Sequence, residues 1–213
     1  MDTHFIKNLL TLCLSENLNQ MLATAYRNYH VPGFNSIILS QSPTLTLRLY
    51  VCKPGETALR PDNDQILVHN HSFDFQTQVL LGYMENAVYE GVEASAGQAE
   101  PWYQYTYESA VLRDDHTMRL KLLNQTPLTR SRLERVVAGQ SYGLRHDELH
   151  RIFVPSDRPV AMLFWQHRRI EQTPLIFSKV PQPEIFPTQD LYHRFDSAAE
   201  LKDLVHLVID HLP

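Results

Sequence analysis

Two histidines separated by one residue, His69 and His71, are the side chains of this sequence best placed to do chemistry. They follow a short apolar run at residues 66–68, which is typical of a β-strand. Because side chains alternate along a strand, both imidazoles point to the same side and can bind one transition-metal ion. Two buried imidazoles without a partner would cost free energy. The other interpretation is a pair of interior histidines that hydrogen-bond to Gln76, Gln78 or a tyrosine.

His150 begins an apolar segment ending at Val154 that is typical of a core strand. His146 lies four residues earlier, and its polar neighbours place it at the rim of the fold. A metal-bound imidazole donates its other N–H to an outer partner. The candidates for that outer role are Asp74, Gln76, Gln78 and Tyr142.

The part of the chain that carries these histidines, residues 36–178, has the texture of an all-β unit. Short runs rich in Val, Ile, Leu, Tyr and Thr are separated by turn residues, and the run 45–51 alternates cleanly. Residues 53–56 form a Pro-Gly turn, where Pro presets φ and Gly accepts a positive φ. Many short strands at this spacing predict a sandwich or a barrel.

Helical patterns lie on both sides of the β-rich part. Apolar residues recur at helical spacing through residues 1–35, which we expect to form an N-terminal extension of two short helices. Residues 179–213 are expected to form a proline-rich strap and a last helix, capped by Asp196 or Ser197. We expect the three parts to form a single domain, with the helices packed outside the barrel.

The composition narrows the classes of function and partner. The 213 residues are 43% hydrophobic and 20% charged, and the net charge is −5, so no nucleic-acid partner is expected. No segment has the roughly 18 uninterrupted apolar residues of a membrane span. Cys13 and Cys52 are too few for a disulfide framework, which favours a reduced, cytoplasmic protein. The start of the chain has no basic segment, which disfavours a signal peptide.

The histidine pair also resembles a known family pattern. His69-Asn70-His71, then Gln76 and Gly82, resemble the first motif of the cupin family: His-x-His, three or four residues, Glu, about six residues, Gly. Residues 141–150, an aromatic-Gly strand followed by a turn and a histidine, resemble the second motif. The pattern is most similar to that of the thiol-dioxygenase (cysteine dioxygenase-like) branch. The resemblance covers roughly residues 45–177.

The resemblance implies a fold and an activity. The fold would be an all-β cupin double-stranded β-helix, a jelly-roll barrel. His69, His71 and His150 would bind one divalent metal, with His146 as the rival third ligand and Fe(II) favoured over Zn, Ni, Cu or Mn. The protein would be a mononuclear non-haem Fe(II) dioxygenase of a small organic substrate, with Tyr142 as a proton donor, and could form a homodimer. The alternatives are a ligand-binding or sensory cupin without catalysis, and a metal-dependent isomerase or hydrolase.

Three features depart from the family pattern. Gln76 stands where the motif has Glu, which favours three histidine ligands without a carboxylate, and Gly82 comes one residue early in that alignment. The gap between His71 and His150 is long, and leaves room for a strand pair that carries a run of alternating tyrosines, Tyr103, Tyr105 and Tyr107.

Other polar residues are interpreted as surface residues. Arg48 shares its strand parity with Thr46 and Tyr50, opposite Leu47 and Leu49, so we expect it to face water. The histidines without a neighbouring ligand-type residue are also expected at the surface: His4, His30, His116, His167, His193, His206 and His211.

Overall fold

A computed structural model of the chain describes residues 2–30, 32–56, 67–92, 101–107, 117–155, 157–188 and 190–213. The helices of this described part are α1 (Thr3–Glu16), α2 (Leu18–Thr24) and α3 (Ala198–His211). None of them is long and apolar enough to cross a bilayer. His116 and Ile66 lie outside the described residues.

Each long helix begins at a residue whose side chain accepts a backbone N–H. The Asp2 carboxylate accepts from the N–H of His4 at the start of α1, and the Ser197 hydroxyl accepts from the N–H of Glu200 at the start of α3. The Glu200 carboxylate reaches back to the N–H of Asp196. Of the two predicted caps, Ser197 is therefore the residue that caps α3.

The strands of the described residues are divided between two antiparallel sheets. Their bounds are β1 Phe34–Gln41, β2 Leu45–Cys52, β3 Val68–His69, β4 Phe75–Leu81, β5 Tyr83–Gly91, β6 Pro101–Tyr107, β7 Thr117–Val137, β8 Ser141–Leu144, β9 Leu149–Phe153, β10 Val160–His167, β11 Leu175–Ser178 and β12 Ile185–Pro187. Within the described residues, the first sheet has the order β1-β2-β10-β4-β8 and the second the order β12-β7-β5-β9-β3-β11-β6.

Eight of these strands pair as in a jelly roll. The outermost pair in sequence is β2 with β10, followed inward by β3 with β9, β4 with β8, and β5 with β7. This nested pairing wraps one long hairpin into a barrel of two facing sheets. The predicted all-β jelly-roll fold with N-terminal helices and a C-terminal helix is therefore confirmed.

The first sheet is buried on both of its faces. One face contributes Leu49, Val51 and Leu163 to a core shared with α1 and α3, for example with Leu10 and Leu204. The opposite face contributes a second set to the core between the two sheets: Tyr50, Phe75, Val79, Met162 and Phe164.

The prediction that Arg48 faces water is wrong. Its side chain is half-buried, donates to the buried hydroxyl of Ser36 and to the side-chain oxygen Oε1 of Gln166, and lies over the ring of Tyr29. Arg48 therefore points to the same side as Tyr50, into the barrel. The apolar residues of β2 that are expected to face the barrel interior lie instead on the outer face of the sheet, which the helices cover.

Two of the predicted elements differ in extent. Within the described residues, the strand predicted to carry His69 and His71 has ladder pairing only at Val68–His69, and His71 lies beyond its end. The proline-rich strap includes β12, which pairs with residues Thr117, Met118 and Arg119 at the start of β7. Because β12 is at the edge of the sheet, Pro187 can end it without breaking a central ladder.

Candidate metal centre

Strands β3 and β9 bring the three candidate ligands together inside the barrel. His69 and His150 are direct partners across the β3–β9 ladder, and His71 lies just beyond the end of β3. One ligand-type nitrogen from each ring lies within 4.8 Å of the others. Nε2 of His71 and Nε2 of His150 are 2.9 Å apart. This is about the separation of two cis nitrogens bound at about 2.0–2.1 Å to one ion.

Backbone and side-chain acceptors orient two of the three rings. Nδ1 of His69 donates to the carbonyl oxygen of Leu67 at 2.9 Å, and Nδ1 of His150 donates to Oδ1 of Asn86 at 2.9 Å. Because Nδ1 carries the proton in both rings, Nε2 is left with its lone pair. The two rings therefore present the metal-binding nitrogen with its tautomer already fixed.

The protein environment keeps these imidazoles uncharged. Burial, with smaller effects of the neighbouring imidazoles, holds the pKa of His71 and that of His150 well below the usual range. Burial also lowers the pKa of His69, against the opposing effect of its bond to the Leu67 carbonyl. A metal binds the neutral imidazole, so the cluster is held in the form that a ligand set requires.

Phe75, rather than Gln76, occupies the inward position after the histidines. The Phe75 ring contacts the rings of His71 and His150, with centroids 5.0 Å and 5.6 Å apart respectively. Gln76 is exposed, and Gln78 shares its strand parity on the face of β4 away from the barrel interior. Neither amide contacts a candidate ligand among the described residues, so the outer role expected for Gln76 and Gln78 has no geometric support.

The register of Phe75 also changes how the motif aligns. With Phe75 at the position of the motif's Glu, six residues separate it from Gly82, as in the motif. Gly82 has φ +69°, and a Cβ there would lie 2.8 Å from the carbonyl oxygen of Pro159. An apolar ring therefore replaces the carboxylate, and the donor set of this pocket is three neutral imidazoles.

Asp74 and His146 form a pair at the rim. The Asp74 carboxylate accepts from both the backbone N–H and Nδ1 of His146, at 2.8 Å and 2.9 Å. These bonds lower the pKa of Asp74. The carbonyl of His146 accepts the backbone N–H of His71 at 3.3 Å. His146 thus holds the segment that carries His71 and lies outside the group of three converging nitrogens.

Tyr142 lies on β8 beside the same aromatic ring. Its ring packs edge-on against Phe75, with centroids 5.9 Å apart. Burial is the main cause that raises the pKa of Tyr142, so the phenol stays protonated at neutral pH.

Asn86 is the residue of this site that the sequence does not reveal. It lies on β5, is fully buried, and accepts from His150, which is 64 residues away in sequence. Its Nδ2 atom has no partner among the described residues. The one available signal is a polar residue at a strand position that is expected to be buried. Unless the pairing of β5 with β9 is known, this signal does not identify His150 as the partner.

A wall of aromatic rings leads away from the imidazoles. Phe75 stacks on Phe164 at 4.7 Å, Phe164 contacts Tyr50 at 5.3 Å, and Tyr50 contacts Tyr29 at 6.1 Å between centroids. His30 follows Tyr29 at 4.1 Å. His30, whose side chain is exposed, lies at the outer end of this series of rings. Desolvation beside the neighbouring rings, and then the nearby His69, lower the pKa of His30.

Comparisons with known proteins add structural neighbours of low similarity. No family model matches the chain, and no curated protein matches it. KdgF from Halomonas sp. is similar over 65% of this chain and 83% of that one, with 14% identity and a TM-score of 0.35. The polyketide cyclase RemF from Streptomyces resistomycificus is similar over 70% and 76%, with 14% identity and a TM-score of 0.38.

A third neighbour is a dioxygenase. Hydroquinone 1,2-dioxygenase from Sphingomonas sp. TTNP3, solved with 4-hydroxybenzoate bound, is similar over 72% of this chain and 74% of that one. The identity is 11% and the TM-score 0.36. At such values nothing about the activity of this chain follows from the similarity.

Proposed function

We propose that His69, His71 and His150 bind one divalent transition metal, and that the protein is a mononuclear non-haem Fe(II) dioxygenase of a small organic substrate. The observation that carries this proposal is the convergence of three neutral imidazoles whose ligand nitrogens lie within 4.8 Å of one another. Without a metal, the Nε2 atoms of His71 and His150 can share one hydrogen bond at 2.9 Å, whereas a metal ion would bind all three imidazoles together.

The donor set suits iron and leaves room for chemistry. Three imidazoles suit Fe, Zn, Ni and Cu, and a six-coordinate ion would keep three positions for exogenous ligands. When bound, Fe(II) would supply the one-electron chemistry that allows dioxygen to react with an organic molecule.

Other residues of the chain would orient the imidazoles, exclude water and donate a proton. Leu67 and Asn86 hold two imidazoles in the ligand tautomer, and His146 holds the backbone of His71. Phe75 and Phe164 form an apolar wall that excludes water from one side of the pocket. Tyr142, a phenol that stays protonated, is the proposed proton donor.

Metal analysis tests the proposal. Purified protein, loaded anaerobically with Fe(II) and desalted, is expected to retain about one equivalent of metal. Changing His69 or His150 to Ala should remove that metal, whereas His167→Ala, at an exposed position on β10, should not. His146→Ala separates the two possible third ligands and is expected to retain metal.

Two results of these measurements would count against the proposed function. Retention of less than about a tenth of an equivalent after iron loading would contradict the proposal. Retention of metal without oxygen consumption, across a panel of small organic compounds, would instead favour a metal-dependent isomerase or hydrolase, or a binding protein.

A further inference from the structure

Three residues in unusual backbone conformations meet at the barrel mouth. Asn28, His30 and Tyr192 have φ of 52°, 70° and 59°, and they are the non-glycine residues with positive φ in the described part of the chain. Such conformations are unfavourable for residues with a Cβ and persist where the surroundings fix them. The first two follow α2 and the third precedes α3, so two segments far apart in sequence share this feature.

Polar contacts fix the two segments against each other. The Tyr192 N–H donates to the carbonyl of Asn28 at 3.1 Å, and Nδ2 of Asn28 donates to the carbonyl of Asp190 at 3.1 Å. The N–H of Arg27 donates to the carbonyl of His193 at 2.7 Å. The Arg27 guanidinium also pairs with carboxylates close to the start of α3, at 3.1 Å and 3.2 Å.

The strained segments present a hydrogen-bonded pair of side chains. Tyr192 Oη lies 2.6 Å from Nδ1 of His30. Burial raises the pKa of Tyr192, and the pKa of His30 is lowered, so the phenol donates and the imidazole accepts. In a neutral imidazole whose Nδ1 accepts, Nε2 carries the hydrogen. The pair therefore offers one N–H donor, at His30.

A series of aromatic rings in contact runs between the donor and the three converging imidazoles. The rings of Tyr29, Tyr50, Phe164 and Phe75 form consecutive contacts of 4.7–6.1 Å from His30 towards the imidazoles. The planes of neighbouring rings are inclined at 29–70°, so the series presents ring faces and ring edges, both of which favour contact with an aromatic ligand. The positive charge of Arg48, which lies over the Tyr29 ring and has no carboxylate partner among the described residues, favours an anionic group at this end.

We propose that the His30–Tyr192 pair is a second substrate-binding element: His30 donates a hydrogen bond to an oxygen of a planar organic acid whose other end lies at His69, His71 and His150. Tyr192 acts as a positioning residue that fixes the tautomer and orientation of His30. This proposal rests on the proposed metal centre, and it names the class of substrate that the centre would take.

Two probes that differ only at one end test it. Catechol and 3,4-dihydroxybenzoate carry the same metal-chelating pair of hydroxyls, and only the second has a carboxylate. Their dissociation constants are measured by visible absorption on protein loaded with Co²⁺, without any assay of activity. The wild type should bind 3,4-dihydroxybenzoate at least about tenfold more tightly than catechol, the size expected for a hydrogen bond to a charged group.

Substitutions at His30 and Tyr192 test whether this pair causes the preference for 3,4-dihydroxybenzoate. His30→Asn keeps a residue that tolerates positive φ, removes the imidazole, and should lower the preference about tenfold. Tyr192→Phe removes one hydroxyl and should lower it severalfold, and the double variant should equal His30→Asn, because both changes break one element. Tyr26→Phe, in a ring that packs against Tyr192, is the matched control and should bind as the wild type does.

The outcomes separate the two proposals. If Co²⁺ binds but the wild type has no preference, or if His30→Asn and Tyr192→Phe keep it, the second binding element is contradicted and the metal centre stands. A wild type that binds no Co²⁺ contradicts both proposals. Equal Co²⁺ affinity in all variants shows that the changes act on the probe and not on the metal.

Discussion

At the scale of single residues, the sequence identifies candidate ligands but not the residues that orient them. His69 and His71 lie on the same side of a strand, so residue type and spacing select this pair, whereas the family resemblance adds His150. Asn86 could not be selected, because its role depends on a strand pairing between residues 64 apart. Residue polarity favours Gln76 as a partner of the imidazoles, whereas the strand register determines that Phe75 is the side chain that points inward.

The contact from Asn86 to His150 predicts a loss of metal affinity without a large loss of stability. Asn86→Leu removes the acceptor of the Nδ1 proton, so we expect metal affinity to fall about 10–100-fold. Since Nδ2 of Asn86 is already unpartnered, the free energy of unfolding of the metal-free variant should change by less than about 2 kcal/mol. Competition with a metal-sensitive dye measures the affinity. The same exchange at the exposed Asn124 is the control, and an unchanged affinity in Asn86→Leu would refute the role of Asn86.

The lowered pKa of His150 predicts that the metal-free protein loses stability in mild acid. The unfolded chain binds a proton at this residue below about pH 6.5, whereas the folded protein does not until the pH is well below that. Stability is therefore lost as the pH falls from about 6.5, with a slope from His150 of up to about 1.4 kcal/mol per pH unit. Urea unfolding at several pH values should show a shallower slope in His150→Asn. His206→Asn, at an exposed position, should keep the wild-type slope, and equal slopes in all three proteins would be inconsistent with this account.

At the scale of secondary structure, alternation predicts strands but not which face of a strand is inside. Most strand positions could be read from β-branched and aromatic runs between turn residues. The face of β2 that points into the barrel could not be predicted, because α1 and α3 bury the side of the sheet that would otherwise face water. Arg48 was placed at the surface for that reason, and only the packing of helices on the sheet reverses its orientation.

The tight connection between β4 and β5 predicts a strong effect at Gly82. Gly82→Ala adds a Cβ at 2.8 Å from the carbonyl oxygen of Pro159 and at φ +69°. Overlap and backbone strain together should lower the free energy of unfolding by about 2–4 kcal/mol. Gly55→Ala is the matched control, because its φ is +77° but nothing lies within 4 Å of the new Cβ. It should cost about 1–2 kcal/mol, from backbone strain alone. Equal losses in guanidinium unfolding would show that the Pro159 contact is unimportant.

At the scale of the whole molecule, the jelly roll places residues from distant parts of the chain in one pocket. The nested pairing of β2 with β10 and of β3 with β9 brings Tyr50, His69 and His150 to the same interior. The pattern of short strands indicated a barrel or a sandwich, and only the family resemblance selected the jelly roll. Pairing order could not be obtained from periodicity, because it depends on contacts between residues far apart in sequence.

A metal that binds only the folded barrel should stabilise the molecule as a whole. At a free metal concentration about 100 times the dissociation constant, the stabilisation is about 2.7 kcal/mol. For a chain of this size, that corresponds to an increase in Tm of roughly 5–10 °C. Differential scanning calorimetry with and without Co²⁺ measures it, and a chelator should reverse it. His69→Ala should show no increase, and an equal increase in that variant would place the metal elsewhere.

The most direct test of the central claim is an anomalous-difference map from crystals grown or soaked with Fe(II) under anaerobic conditions. The account predicts one peak at the iron edge inside the barrel, at about 2.0–2.3 Å from one nitrogen of each of His69, His71 and His150. A peak bound by other residues, or no peak at these three imidazoles in iron-loaded crystals, would contradict it.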